Sequence, residues 1–558
     1  MIELELARLV RAAIEGLRED LDVDVPEVEI TRPRQKEHGD YATNVALAIG
    51  AAAGRNPREI AEALVGHLPE SDLVTRAEVA GPGFINFTLA HGWLYAVLEE
   101  IRRLGPRYGR SEAEEPQRVQ IEFVSANPTG PLHVGHARNA VLGDALANVL
   151  EAAGHRVERE YYYNDTGRQM ELFTASVEAR YLELHGRTVT FPEEGYPGTY
   201  IAELARDIST ELGDSLIDLP PDERIARIKE EAERRIFDWI RRTLDRFRVR
   251  FDSWFSERSL HESGEIDRVV SMLRESGHAY DEAGAVWFRS TAFGDDKDRV
   301  LIRSNGRPTY FAADCAYVLD KFGRGFDHLV YVWGADHHGD VVRVKGAAQA
   351  LGFDREAVEL LLYQFVSFTR GGRPVPMSKR TGDVITLDEL LDEVGTDAAR
   401  YTLLTRSSDS RIEFDIELVT RQSMDNPVYY VQYAHARIAS LIRYAEDQGS
   451  AMAPFDEIDP KELVHETELD LLRKLADLPE QVRVAAALRA PYRLTRYAEE
   501  LAADFHRFYT ECRVVTEDAS LTQARLHLAA AAKQGIGNIL ALLGVSAPET
   551  MERLEDEG

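Results

Sequence analysis

The sequence predicts an α/β protein in three parts: a split, doubly wound parallel sheet at the centre, a small α/β module before it and an all-α bundle after it. Three observations carry this. Residues 118–163 read strand, proline-rich loop, helix, strand, the βαβ order of a parallel sheet. Apolar strands resume near residue 285 after a long, charge-rich helical stretch, so an insertion interrupts the sheet. From about residue 416 onward the apolar periodicity is helical throughout.

Composition sets outer bounds. A chain of 558 residues is long enough for several domains, and at 44% hydrophobic it can fill large cores. No run of about 18 apolar residues exists, which argues against a membrane-spanning helix. The first residues, M-I-E-L-E-L-A-R-L-V, carry acids where a secretion signal needs a basic stretch, and they read as an amphipathic helix. Two cysteines, Cys315 and Cys512, are too few for a disulfide framework or a structural zinc site, which fits a reducing cytoplasm. A net charge of −30 taken alone argues against a nucleic-acid binder. A large acidic enzyme can still hold a polyanion on a local basic face.

The elements follow in order. The first module spans 1–104, with a helix over 3–19, a strand over 28–33 and a helix through Val45, Ala48, Ile49 and Ala52 that Asp40 to Thr43 would cap. Asn56-Pro57 opens another helix, with Pro57 at a tolerated first position. A strand pair, 74–80 and 84–89, is joined at Gly81-Pro82-Gly83, and Phe84 and Asn86 share one face of its second strand. On the residues alone, Phe84 packs inward and Asn86 caps a turn. Residues 104–116 form a polar linker rich in Gly and Pro.

The central part opens on R-V-Q-I-E-F-V-S-A-N-P-T-G-P-L-H-V-G-H (118–136). Val119, Ile121 and Phe123 alternate as in a strand, and the prolines at 128 and 131 end it. A helix follows through Leu142, Leu146, Val149 and Leu150 to Gly154. His133 and His136 then lie on one face of its first turn, where a helix N-terminus favours a phosphate chain. A strand and turn over 155–167, the insertion at about 168–298, strands at 285–290 and 299–304, a helix over 310–321, an apolar strand running into polar residues over 328–339 and a strand at 365–369 complete this part. Helices are expected over 417–446, 463–487, 491–511 and 521–543.

Several clusters carry chemistry, each beside a plainer reading. His133 and His136 read as a metal pair lack nearby third and fourth ligands. Strand-loop-helix context instead favours nucleotide phosphates. Met377-Ser378-Lys379-Arg380 is a cationic turn by itself, but opposite the histidines it can close over a triphosphate and neutralise departing pyrophosphate. Asp336-His337-His338 follows an apolar strand, where adjacent side chains point apart and cannot share one ion. Glu122, Tyr310 and Asp314 are buried-acid and aromatic candidates, and a pocket of carboxylates suits a guanidinium. Tyr429, Tyr433 and Arg437 interleave aromatic and basic groups, either as the edge of a bundle core or as a base-stacking surface.

P-L-H-V-G-H paired with P-M-S-K-R across a split parallel sheet resembles the class I aminoacyl-tRNA synthetases, and within them the arginyl-tRNA synthetase family. Y-Y-Y-N-D-T-G-R-Q-M, W-G-A-D-H-H-G, D-N-P-V-Y-Y-V-Q-Y-A-H-A-R and L-L-G-V-S-A-P-E-T-M extend the resemblance over nearly the whole chain. It implies a Rossmann-type catalytic domain at 105–415, a tRNA-elbow domain at 1–104 and an anticodon-binding domain at 416–558. It implies that arginine and ATP, with Mg2+ as part of the substrate, give arginyl-adenylate and pyrophosphate. Arginine then passes to the 2′-hydroxyl of the terminal adenosine of tRNA(Arg), and the first step generally needs tRNA bound.

The same resemblance implies that His133 and His136 stabilise the reacting phosphates and that Gly135 leaves room for adenine. It places Pro131, Met377, Ser378 and Lys379 with them on ATP. Glu122, Ser125, Asn127, Tyr310 and Asp314 line the arginine site, and either Asp336 or His337 completes it. Phe84 and Asn86 become contacts to the tRNA D-loop, and Tyr429, Tyr433 and Arg437 contacts to tRNA at the bundle. A cytoplasmic monomer with no structural metal and no membrane partner is expected. One departure stands out: Pro376 replaces the first lysine of K-M-S-K-S, leaving Lys379 and Arg380 as the motif's charges. A class I synthetase of another specificity, a nucleotidyltransferase or a non-catalytic tRNA-binding paralogue are the competing readings. The acidic candidates argue against the first, the flanking domains against the second and the intact motifs against the third.

Overall fold

The computed structural model describes residues 2–18, 27–33, 35, 38–375 and 384–551, which divide into two compact units. The first unit joins residues 1–103 to 452–476 and 512–528. Its sheet contains β1 (Tyr41–Thr43), β2 (Val74–Ala80) and β3 (Phe84–Leu89), in the order β1-β3-β2 and antiparallel throughout. Ile85, Phe87 and Leu89 take the core face of β3, so the period of two puts Phe84, Asn86 and Thr88 on the other face. Phe84 is therefore 39% exposed, which corrects the inward-packing expectation. Residues 28–33 contribute only a bridge from Thr31 to Ala42, and 41–43 are a strand rather than a helix cap. Asn56 does cap the Pro57–Gly66 helix, accepting from Arg58 N at 3.0 Å. Arg473 donates to Asp40 at 3.0 Å and Tyr95 to the Leu463 carbonyl at 3.1 Å, which ties the distant 452–476 segment to this module.

The second unit holds β4 (Arg118–Glu122), β5 (Arg156–Tyr163), β6 (Ser253–Ser256), β7 (Ala279–Glu282), β8 (Ala285–Phe288), β9 (Arg299–Ile302), β10 (His328–Gly334), β11 (Val358–Tyr363), β12 (Val366–Arg370), β13 (Arg373–Pro374) and β14 (Ile412–Asp415). Its main sheet runs β11-β10-β4-β5-β6, every pair parallel. The chain winds from β4 toward β6 and then back to β10 and β11, so the direction of winding reverses between β4 and β10. Ligands sit outside the C-terminal ends of strands at such a switch point.

Three expectations change here. The strands at 285–290 and 299–304 do not rejoin the sheet; they form an antiparallel β7-β8-β9 sheet, because Ala283 and Gly284 (φ 51 and 78) turn the chain in two residues. β6, the edge of the main sheet, lies inside the stretch read as a helical insertion. The 365–369 strand belongs to a separate sheet, pairing with β13 and β14. Two long helices also break. Ile416–Thr420 and Pro427–Asp447 stand for the expected 417–446, and Glu466–Ala476 and Leu478–Ala487 for 463–487. Pro427 and Pro479 each sit at the start of the second helix, where a missing N–H costs little.

The Ala137–Ala152 helix is buried almost all round and crosses the sheet where Gly143 meets Phe123. A Cβ at Gly143 would overlap the Phe123 ring. Gly143→Ala is accordingly expected to cost about 1–3 kcal/mol, as overpacking does, read as a lower denaturation midpoint.

Candidate active site

β4 ends on a strained backbone. Val124 and Ser125 have φ of 66 and 44, left-handed values that a β-branched residue rarely adopts. Asn139 holds that bend: its Oδ1 accepts from Val124 N at 2.6 Å and its Nδ2 donates to the Val332 carbonyl of β10 at 2.9 Å. Asn139 was not anticipated, and only its place one turn inside the helix after the His pair pointed to it. The bend turns residues 125–131 across the sheet's C-terminal edge, where Asn127 accepts from Asn164 N at 3.2 Å and donates to Gln169 at 2.7 Å.

The histidines do not lie on the first turn of the long helix. His133 is the N-cap of a short 3-10 turn, Val134–His136, that leads into it. Gly135 N donates to His133 Nδ1 at 3.1 Å and His133 N donates to His136 Nδ1 at 3.2 Å. Each ring therefore accepts on Nδ1 and carries its proton on Nε2 when neutral. Burial lowers the pKa of His133, and burial followed by its neighbour drives His136 down to about 3. Both are neutral donors at physiological pH rather than cations. A Cβ on Gly135 would lie 2.8 Å from the His133 ring, so the glycine makes room for that ring.

Asn127, Pro131, His133 and His136 line one cleft of about 630 Å³, walled by Tyr196 from a loop and by Tyr200 and Trp239 from helices of the inserted stretch. Residues 376–383, which include Met377, Ser378 and Lys379, lie outside the described residues. Directly beyond them, Val134 N donates to the Ile385 carbonyl at 3.0 Å and Leu387 N to the Leu132 carbonyl at 2.8 Å. These two bonds pin residues 385–387 to the histidine segment.

Three acids cluster at the end of β4, where the chain enters the cleft. Glu122, at the end of β4, accepts from Ser125 Oγ at 3.2 Å and from Lys321 Nζ at 2.6 Å. Asp314 faces it from the Tyr310–Gly323 helix, and burial together with Glu257 and Glu122 pushes its pKa up to about 7. Glu257, missed in the sequence, accepts from the Tyr162 hydroxyl at 2.6 Å. It opens a six-residue helix directly after β6, so only recognition of that edge strand could have exposed it. Tyr310 corrects an expectation: as the first residue of its helix it is 64% exposed rather than buried, one turn from Asp314. Asp336 and His337 are also exposed, in a 3-10 turn after β10 rather than on the strand, with His337 Nδ1 3.3 Å from Asp340. The pocket predicts a pH dependence. Between 3.8 and about 7 the folded chain holds a proton on Asp314 that the unfolded chain has lost, so this group's contribution to stability falls as pH rises. A bound cation needs the ionised form, so its KM is expected to rise as pH falls below about 7, by up to about tenfold per unit.

Three family models cover the chain. The arginyl tRNA synthetase N-terminal domain matches residues 4–89, the class I (R) tRNA synthetase catalytic domain 101–417 and the DALR anticodon binding domain 431–551. The chain is 49% identical to an arginine–tRNA ligase of Heliobacterium modesticaldum, covering 99% of both chains. It is 50% identical to one of Carboxydothermus hydrogenoformans, covering 97% of both. The chain belongs to the arginyl-tRNA synthetase family. Its fold resembles the solved Thermus thermophilus arginyl-tRNA synthetase, with a TM-score of 0.76 at 24% identity over 99% of this chain and 100% of that one.

Away from this cleft, the structure separates the remaining candidates. Tyr429 and Tyr433 stack at 5.9 Å on the Pro427–Asp447 helix, with Tyr429 buried and Tyr433 half-buried. The Arg437 guanidinium lies 5.8 Å from the Tyr433 ring and 4.4 Å from Tyr509, and His506 completes the group. Tyr429 is thus core, while Tyr433 and Arg437 form an aromatic–basic edge. Among the described residues no helix is long and apolar enough to cross a membrane.

Proposed function

We propose that the chain ligates L-arginine to tRNA(Arg) in two steps. An arginine carboxylate oxygen attacks the ATP α-phosphorus, the bond to the bridging oxygen breaks, and Mg2+-bound pyrophosphate leaves. The 2′-hydroxyl of the terminal adenosine then attacks the arginyl carbonyl, losing its proton as AMP departs. The observation that carries this reading is the cluster of three acids, Glu122, Asp314 and Glu257, at the end of the strand that leads into a cleft bearing two neutral histidines. Carboxylates are planar partners for guanidinium, and Nε2–H donors strengthen their bonds as charge builds on the phosphates.

In this reading Ser125 and Asn127 hold the arginine backbone end, Tyr310 closes over its side chain, and Asp336 or His337 borders the pocket. Pro131, Gly135, Met377, Ser378 and Lys379 hold ATP, with Lys379 supplying the main loop charge in the absence of a lysine at 376. The module at 1–104 grips the tRNA elbow through the exposed Phe84–Asn86 face, the 105–415 domain catalyses, and the 416–558 bundle reads the anticodon through Tyr433 and Arg437. The protein works as a cytoplasmic monomer. Arginine-dependent ATP–pyrophosphate exchange tests the first step. Exchange with arginine and tRNA, lost on omission of either, is expected; exchange without arginine would contradict it.

A further inference from the structure

Among the described residues, Lys321 is a charged side chain of the pocket that neither reaction step uses. It is fully buried, yet it lies on the same helix face as Asp314 and Tyr317, at spacings of seven and four residues. Its ammonium lies 4.1 Å from the centre of the Tyr317 ring and 3.8 Å from that of Tyr331 on β10. Such a desolvated double cation–π seat is favourable and leaves the ammonium no route to water. Its hydrogen-bonded acid is Glu122, at 2.6 Å. The neighbouring buried acid, Glu160, is already held by Arg324 at 2.6 and 2.9 Å, by Gln120 at 2.6 Å and by Tyr317.

The surroundings explain why Glu122 needs such a partner. Asp314 shares the helix of Lys321, Glu257 opens the short helix after β6, Glu160 lies on β5 and Asp340 follows β10. Among the described residues, Lys321, Arg324, Arg343 and His261 stand against these five acids; the two arginines are committed to Glu160 and Asp340, and His261 lies 3.7 Å from Glu257. Like charges this close favour protonation of one another. Without Lys321, Glu122 would lose the contact that fixes one of its oxygens, and the orientation of the acceptor with it.

We propose that Lys321 is a positioning residue for the amino-acid substrate: its buried ammonium fixes one oxygen of Glu122 while Ser125 holds the other, so the carboxylate meets the incoming cation preorganised. A carboxylate has about four acceptor directions, so two remain for substrate. This rests on the reading of Glu122 as an arginine ligand, and the test separates the two.

Steady-state KM values for arginine and ATP are measured in tRNA-dependent pyrophosphate exchange for Lys321→Met, Lys321→Arg, Glu122→Gln and the Glu122→Gln/Lys321→Met double variant. Lys321→Met is expected to raise the arginine KM about tenfold or more with the ATP KM within about twofold, and Lys321→Arg to recover most of the loss. In the Glu122→Gln background the lysine change is expected to add nothing, because it acts through that carboxylate. Breaking a buried pair can unfold a protein, but removing both charges together is often tolerated, so the comparison of Glu122→Gln with the double variant stands even if Lys321→Met does not fold. Equal arginine and ATP effects, or a further rise in arginine KM in the double variant, would overturn the proposal. An unchanged arginine KM in Glu122→Gln would instead overturn the reading of the pocket.

Discussion

Replacing His136 with alanine is expected to lower the rate of adenylate formation by about two to three orders of magnitude, the usual cost of one preorganised donor to a charged transition state. The arginine KM is expected to stay within about twofold, because the ring lies on the ATP side of the site. The neutral state of the ring sharpens this. With its pKa driven down to about 3 in the free protein, His136 meets ATP as a neutral ring at neutral pH. Its contribution is directional hydrogen bonding, so His136→Asn, which keeps an N–H donor, is expected to recover part of the loss while His136→Lys is not. The kcat/KM profile of pyrophosphate exchange should show no limb from this group near 6.5. Single-turnover measurement with ATP and arginine saturating separates the chemical step from binding, and a His136→Ala enzyme within about threefold of the parent rate would refute the role.

How far the sequence could be read depends on where its local signals agree with the tertiary fold. The βαβ unit from β4 to β5 was legible because Val119, Ile121 and Phe123, two prolines and a helical repeat each point the same way. β6 was not: S-W-F-S is four residues long and half-buried, too short to show a period among helices. Glu257 was lost with it. β11, V-E-L-L-L-Y, is an apolar run that cannot be told from a buried helix segment. The acidic pocket was half legible. Glu122 and Asp314 stood out as acids in apolar surroundings, but Lys321, seven residues past Asp314, reads as an ordinary basic residue in the last turn of a helix. Tyr310 was placed wrongly in depth, since burial of a helix's first residue depends on what covers its end.

The second large effect is at Glu122. Glu122→Gln keeps the shape and removes the charge, so the arginine KM is expected to rise about 100-fold, within the roughly 2–5 kcal/mol that truncating a buried hydrogen-bonded charge pair costs. The lower half of that range is favoured because Lys321 already neutralises part of the carboxylate and the amide can still accept one bond. A fall in thermal stability accompanies it, since Lys321 is left buried without its acid. The ATP KM is expected to change little. Titration of arginine into the folded variant by calorimetry reads the loss directly; an affinity within about threefold of the parent protein would place the substrate's cation elsewhere.

The most direct measurement of the central claim is aminoacylation of unfractionated tRNA with each of the twenty amino acids in turn, with ATP and Mg2+ present. The acid cluster at the end of β4, where the chain enters the histidine cleft, predicts charging by arginine alone, confined to the arginine isoacceptors and ending in a 2′-linked ester. Charging by a different amino acid, or by none, would contradict it.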